Sequence, residues 1–252
     1  KILKSNIYPM KFCILYNPDK PSLAKRMFEE TVKHKEIIEK VCDFWVGTTK
    51  GSSKAISFWL KRLEEEGLEE RYLFPGQVWH ALAGKHAKYI LRPELLNRTP
   101  SFKSSLARLY TKLGKLATRF LYPYSPPYEL DFGYLILGPG TSVGDFTGAA
   151  RISDEDALAC VENYLEKNKA CYGVYIEGGS GARIPVSKRI ELIKKAREIL
   201  PSDKVLHAGG GIRSLEELKL LLDLGTKPVI STHFEEKPKD IYRFAKEVYK
   251  RV

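Results

Sequence analysis

No apolar stretch in this chain is long enough to cross a bilayer, which argues against a membrane-spanning helix. No charged segment leads into an apolar signal core near Lys1, so the expectation is a cytoplasmic protein. The four cysteines, Cys13, Cys42, Cys160 and Cys171, show no C-x-x-C spacing and have no histidine pair close by. A zinc site or a catalytic dithiol is therefore not expected. Cys13 and Cys42 lie in or beside apolar runs and read as buried thiols. Methionine is scarce, with 2 residues, while Lys, Glu and Arg are plentiful, a composition of thermophilic type. Acidic residues are missing altogether from Leu95 to Tyr128, a span that carries Arg98, Lys103, Arg108, Lys112, Lys115 and Arg119. The net charge of +11 points to nucleic acid, an anionic membrane or an anionic metabolite. Zinc-finger and RNA-recognition aromatic signatures are both lacking, so a nucleic-acid partner ranks last.

What is present is a soluble globular composition, 43% hydrophobic and 29% charged over 252 residues. That length buries one large core and suits a single α/β barrel. Short apolar runs stand at Phe12–Tyr16, Phe44–Val46, Tyr72–Phe74, Tyr89–Leu91, Tyr134–Leu137, Gly173–Ile176, Lys204–His207 and Pro228–Ser231. Helical periodicity fills Leu23–Lys40, Ser53–Glu66, Phe102–Phe120, Asp154–Lys167, Pro185–Leu200, Leu215–Leu224 and Lys239–Lys250. Only a short segment near Gln77–Leu82 follows the third run. Strands alternating with helical crossovers indicate a parallel sheet, and eight of them close a (β/α)8 TIM-type barrel. An open doubly wound sheet is the runner-up. No linker divides residues 1–252, so one domain is expected.

The helical run Phe102–Phe120 carries Phe102, Leu106, Leu109, Leu113, Leu116 and Phe120 on one stripe, with basic residues on its other faces. Two readings stand together: an outer barrel helix with a solvated basic face, and a helix meeting a membrane surface or a lipid tail.

Three consecutive glycines, Gly209, Gly210 and Gly211, join the run ending at His207 to the helix opening at Leu215. A strand that passes through bare glycines into a helix offers backbone N–H groups at the positive end of the helix dipole, a seat for a phosphate. Residues without a Cβ let the main chain approach the anion closely. A tight turn with nothing bound is the alternative. In a barrel, chemistry sits where strands run into the loops that follow them. There the chain places Asn17-Pro18-Asp19-Lys20, Gly47-Thr48-Thr49, Pro75-Gly76, Gly138-Pro139-Gly140-Thr141, Glu177-Gly178-Gly179-Ser180-Gly181, the glycine triplet and Ser231-Thr232. Glu177, ending a buried strand, is the carboxylate best placed to take a proton. Tyr175 shares its inward face because strand side chains repeat every second residue.

In order, these motifs resemble those of the geranylgeranylglyceryl phosphate synthase family, prenyltransferases of archaeal lipid synthesis with bacterial heptaprenyl relatives. The resemblance also takes in Leu73-Phe74-Pro75-Gly76, Leu95-Leu96-Asn97 and Gly138–Gly144, spans about Phe12 to Val252, and is most specific at Tyr175–Ala182 and Gly209–Arg213. Arg98–Pro127 carries no motif of the family. The resemblance implies Mg2+-assisted transfer of a prenyl group, expected to be geranylgeranyl, from its diphosphate to sn-glycerol 1-phosphate. It further implies Glu177 as the catalytic carboxylate and a phosphate site after strands 7 and 8. Tyr175, Gly179, Ser180, Gly209, Gly210, Gly211, Ser231 and Thr232 would bind the substrate, and Asn17 and Thr49 would lie at the metal and diphosphate. A homo-oligomer is a further open expectation.

Two positions depart from the family pattern. Asn17 stands where a magnesium-binding aspartate is usual, and an amide offers a hard cation one carbonyl oxygen without the charge. Ser231 stands where a glycine is usual, so its side chain either crowds the phosphate or donates to it. Two other readings are therefore kept: a catalytically silent binder of glycerol phosphate, and another phosphate-handling barrel such as a sugar-phosphate isomerase. Aromatic abundance (Phe44, Trp45, Trp79, Tyr89, Phe120, Tyr122, Tyr124) suits a hydrocarbon tail better than a sugar.

Overall fold

A computed structural model describes residues 10–48, 51–98, 127–138, 144, 147–179 and 184–252. Eight strands, β1 (Phe12–Tyr16), β2 (Cys42–Thr48), β3 (Arg71–Pro75), β4 (Tyr89–Leu95), β5 (Tyr128–Ile136), β6 (Gly173–Glu177), β7 (Val205–Gly209) and β8 (Lys227–Ile230), close into a barrel in sequence order. Every neighbouring pair is parallel, including β1 with β8. The expected eight-stranded closure holds, and the open sheet is set aside.

The helices are α1 (Pro21–Lys33), α2 (Lys35–Val41), α3 (Ser53–Glu65), α4 (Asp154–Lys167), α5 (Ile190–Ile199), α6 (Leu215–Asp223), α7 (Thr232–Glu236) and α8 (Asp240–Tyr249). Their starts follow local chemistry. Proline opens α1, while the Ser52 and Ser153 side chains cap α3 and α4 by accepting from Ala55 and Asp156 N–H at 3.2 and 3.1 Å. The periodic run expected as one helix over Leu23–Lys40 is broken at His34, whose φ of −122° leaves the helical region. Its imidazole stacks on Tyr242 of α8 at 3.9 Å, and α2 turns to pack on that helix. A 3₁₀ segment, Val78–His86, fills the crossover after β3. The run expected over Pro185–Leu200 divides into a 3₁₀ turn, Val186–Lys188, and α5, with Arg189 between them. The basic stripe Phe102–Phe120 lies outside the described residues.

Strand side chains alternate between two cores. Ile14, Val46, Leu73, Leu135, Val174, Ile176, Leu206 and Ile230 face the helices. Cys13, Trp45, Tyr72, Leu91, Phe132, Tyr134, Tyr175 and Val229 fill the barrel. The inner core is strongly aromatic: Tyr175 stacks on Tyr134 at 5.1 Å and meets the edge of Trp45 at 5.8 Å. Toward the strands' N-terminal end, buried Asp43 is paired with Lys227 and lies 3.7 Å from Lys11. The interior is thus a packed plug, and ligand access is left to the C-terminal ends of the strands.

Candidate active site

Glu177 is the last residue of β6 and points inward on the same face as Tyr175, as strand parity requires. Its carboxylate is buried. Oε2 accepts a hydrogen bond from the Tyr175 hydroxyl, and Oε1 accepts from Gly179 N–H at 3.2 Å. Burial pushes the Glu177 pKa up, against the opposing pull of Tyr175, the Arg189 charge and the Gly179 amide. Burial, then the Glu177 charge, drives Tyr175 well above the ordinary phenol value, so it remains a donor. The result is a fixed carboxylate more basic than a solvated one.

The glycine triplet packs against this pair. Gly210 and Gly211 have φ of +74° and +76°, the left-handed region where a side chain is strained. A Cβ on Gly210 would stand 2.5 Å from Glu177 Oε1, and one on Gly209 would strike the Tyr175 hydroxyl. The bare backbone is therefore needed by the protein's own side chains as well as by any ligand. Beside it lies a pocket of about 60 Å³, room for roughly four water molecules and so of the size of a phosphate group. Its walls include Tyr175, Glu177, Gly210, Gly211, Ser231 and Thr232.

The start of α6, expected to be open, is closed by its own capping box. The Glu217 carboxylate accepts from Arg213 and Ser214 N–H at 2.6 and 3.2 Å, and Ser214 Oγ accepts from Glu217 N–H at 3.1 Å. Those two donors are spent, so an anion in the pocket would have to be met by amides nearer the end of β7, among them those of the glycines. Ser231 lines the pocket, but its hydroxyl donates to Glu235 Oε1 at 3.2 Å. Glu235 is itself buried in α7 and takes Lys20 Nζ at 2.6 Å, tying the loop after β1 to the short helix that follows β8.

A second polar cluster stands above β1 and β2. Asp19 accepts from the Thr48 hydroxyl, which accepts from Gly51 N–H at 3.1 Å. Asn17 Oδ1 accepts from Asp19 N–H at 3.0 Å, a side-chain turn closed on its own backbone. Buried His80 accepts from Gly76 N–H at Nδ1, 3.1 Å, so Nε2 carries the proton and donates to Gly51 O at 2.7 Å. Burial pushes its pKa down and keeps it neutral. No group of three or more His, Cys, Asp or Glu side chains suited to a metal occurs among the described residues. Asp19 offers an exposed carboxylate. One carboxylate completed by substrate phosphate oxygens and water is an ordinary arrangement for Mg2+, so the donor set fits that ion.

The structure thus brings together Tyr175, Glu177, Gly179, Gly209, Gly210, Gly211, Ser231 and Thr232, with Asn17 in the cluster above β1. Thr49 and Ser180 lie outside the described residues. Three participants escape sequence reasoning: Arg189, His80 and the Lys20–Glu235 pair. Only Lys20 falls in a quoted motif.

Fold and site define a (β/α)8 barrel whose pocket stands at the ends of strands seven and eight. No protein-family model matches the chain. Curated relatives named geranylgeranylglyceryl phosphate synthase do match. The protein from Caldivirga maquilingensis is 28% identical over 231 residues, 89% of this chain and 80% of the relative. That from Methanothrix thermoacetophila is 29% identical over 125 residues, 47% of this chain and 46% of the relative, so the chain spans about half of that protein. Among solved structures, (S)-3-O-geranylgeranylglyceryl phosphate synthase from Thermoplasma acidophilum, in complex with sn-glycerol-1-phosphate, superimposes with a TM-score of 0.76 at 20% identity, covering 100% of this chain and 97% of that one. That likeness shows the fold. Relatives of that name align over most of its length, so in sequence the chain is similar to the geranylgeranylglyceryl phosphate synthases.

Proposed function

We propose that this protein transfers a prenyl group, geranylgeranyl by preference, from its diphosphate to the C3 hydroxyl of sn-glycerol 1-phosphate. The hydroxyl oxygen bonds to C1 of the prenyl chain, the C1–O bond to the diphosphate breaks, and pyrophosphate leaves. The observation that carries this reading is a buried, raised-pKa carboxylate beside a glycine-walled pocket of phosphate size. The phosphate of the acceptor fits against Gly210, Gly211 and Thr232. Glu177 then accepts the hydroxyl proton, and Tyr175 fixes the rotamer of that carboxylate by its hydrogen bond. Bound Mg2+ supplies charge neutralisation for the departing diphosphate. Asp19 is the residue that would hold it, with Asn17 and Thr49 beside it by resemblance. The reaction belongs at the cytoplasmic membrane surface, where a lipid product would be released.

One observation favours a second reading, binding without turnover: the Asn17 amide oxygen is already committed to Asp19 N–H. A single assay separates the two. Protein, glycerol 1-phosphate, labelled geranylgeranyl diphosphate and Mg2+ should give labelled ether lipid and pyrophosphate, and Glu177→Gln should lower the rate by about 100-fold or more. Acceptor binding with no product at any Mg2+ concentration would support the silent binder. Neither binding nor product would overturn both readings.

A further inference from the structure

Arg189 belongs to none of the motifs, yet it is 2% exposed and stands at the join between the 3₁₀ turn and α5. Its guanidinium reaches the glycine triplet. Nη1 donates to Gly209 O at 2.5 Å and Nη2 donates to Gly210 O. Gly178 N–H shares the first carbonyl at 2.9 Å. Gly178 also has to be bare, because a Cβ there would lie 2.5 Å from Arg189 Cζ and 2.8 Å from Nε and Nη1.

No peptide bond among the described residues is cis. In a planar trans unit the N–H points opposite to the C=O. The carbonyl of Gly209 shares its plane with the N–H of Gly210, and the carbonyl of Gly210 with the N–H of Gly211. Holding both carbonyls from one side turns both amides to the other. Gly210 and Gly211 line the pocket while Arg189 does not, so the glycine peptides stand between the guanidinium and the cavity. Two successive N–H groups facing one concavity form an anion nest, and here a buried positive charge lies one peptide layer behind it.

We propose that Arg189 is the positioning residue of this pocket: its two-pronged grip on the Gly209 and Gly210 carbonyls aims the Gly210 and Gly211 amides at a phosphate ester. This rests on reading the pocket as the glycerol phosphate site. Arginine is required because its planar fork spans two acceptors at fixed separation, whereas a lysine ammonium is a single point. The same grip explains Gly178, whose place in its motif is then set by the arginine behind it.

The test compares the native protein with Arg189→Lys, Arg189→Gly and Gly178→Ala, the last displacing the guanidinium without removing it. Calorimetry reads binding of inorganic phosphate and glycerol 1-phosphate, and circular dichroism melts follow the fold. Folded variants should bind both anions roughly tenfold or more weakly, with KM for glycerol 1-phosphate rising more than kcat falls. Added guanidinium ion should restore part of the affinity of Arg189→Gly. Native protein that binds neither anion would overturn the reading of the pocket itself. Native binding alongside folded variants of equal affinity would overturn the role of Arg189 alone. So would an affinity loss that only tracks unfolding and is not relieved by guanidinium.

Discussion

Two glycines with nearly the same backbone offer a controlled test of the site. Gly210 and Gly225 have φ of +74° and +71°, so an alanine at either pays the same left-handed strain, about 1–2 kcal/mol. Their surroundings differ. At Gly225, just past the C-cap of α6, a Cβ would meet only Arg197 Cδ at 3.6 Å and Cγ at 4.0 Å, ordinary contacts. At Gly210 it would stand 2.5 Å from Glu177 Oε1 and 2.8 and 2.9 Å from Gly179 N and O, so the carboxylate or the backbone must move. Overpacking a buried site adds about 1–3 kcal/mol. In a chain of this size each kcal/mol lowers Tm by about 2–4 °C, which puts Gly225→Ala near 2–8 °C and Gly210→Ala at roughly twice that. Activity should separate them more sharply. Gly225→Ala should turn over like the native enzyme, whereas Gly210→Ala, with the carboxylate displaced and the nest obstructed, should lose about 100-fold or more. Thermal melts and the prenyl-transfer assay read both quantities. Equal shifts in Tm with turnover retained in both would refute the claim that the glycine wall and Glu177 are packed one against the other.

Glu177→Gln should stabilise the protein at neutral pH while lowering turnover by about 100-fold or more. Burial holds the folded pKa of Glu177 above its unfolded value, so its favourable contribution is complete below the unfolded pKa and is lost as pH rises through the folded one. A neutral amide avoids that loss; melts from pH 4 to 8 should show a gain in Tm that grows with pH, and a pH-independent difference would contradict the assignment. The acid limb of kcat/KM should fall above the usual carboxylate range for the same reason. At the second cluster, Asn17→Asp should lower the Mg2+ concentration for half-maximal rate by roughly tenfold and Asp19→Asn should raise it. Magnesium titrations unmoved by either change would place the ion elsewhere.

The barrel was readable because its strands are nearly continuous apolar runs and its helices amphipathic. Phe12–Tyr16 and Asp154–Lys167 coincide with observed elements to the residue. β5 begins at Tyr128, ahead of the expected Tyr134, because Tyr128–Asp131 pair with β4 through residues of mixed polarity that carry no period. There the strand is held by register and by the Arg92–Glu129 ion pair, neither of which leaves a local mark in the sequence. Glu177 and Tyr175 were readable from parity alone, since two residues apart on a strand must share a face.

Arg189 was not readable, and the reason is general. Its partners are main-chain carbonyls 20 and 21 residues away, and a carbonyl has no side-chain identity to betray its partner. What does appear in the sequence is the space the guanidinium occupies, recorded as Gly178. Likewise Gly209 and Gly210 leave room for Tyr175 and Glu177, quite apart from any anion. Glycines in such a motif therefore report at least two demands at once: close approach of a ligand on one side of the chain, and close approach of the protein's own polar side chains on the other. Sequence reasoning that counts only the first will find the ligand pocket and overlook the residue that aims its amides.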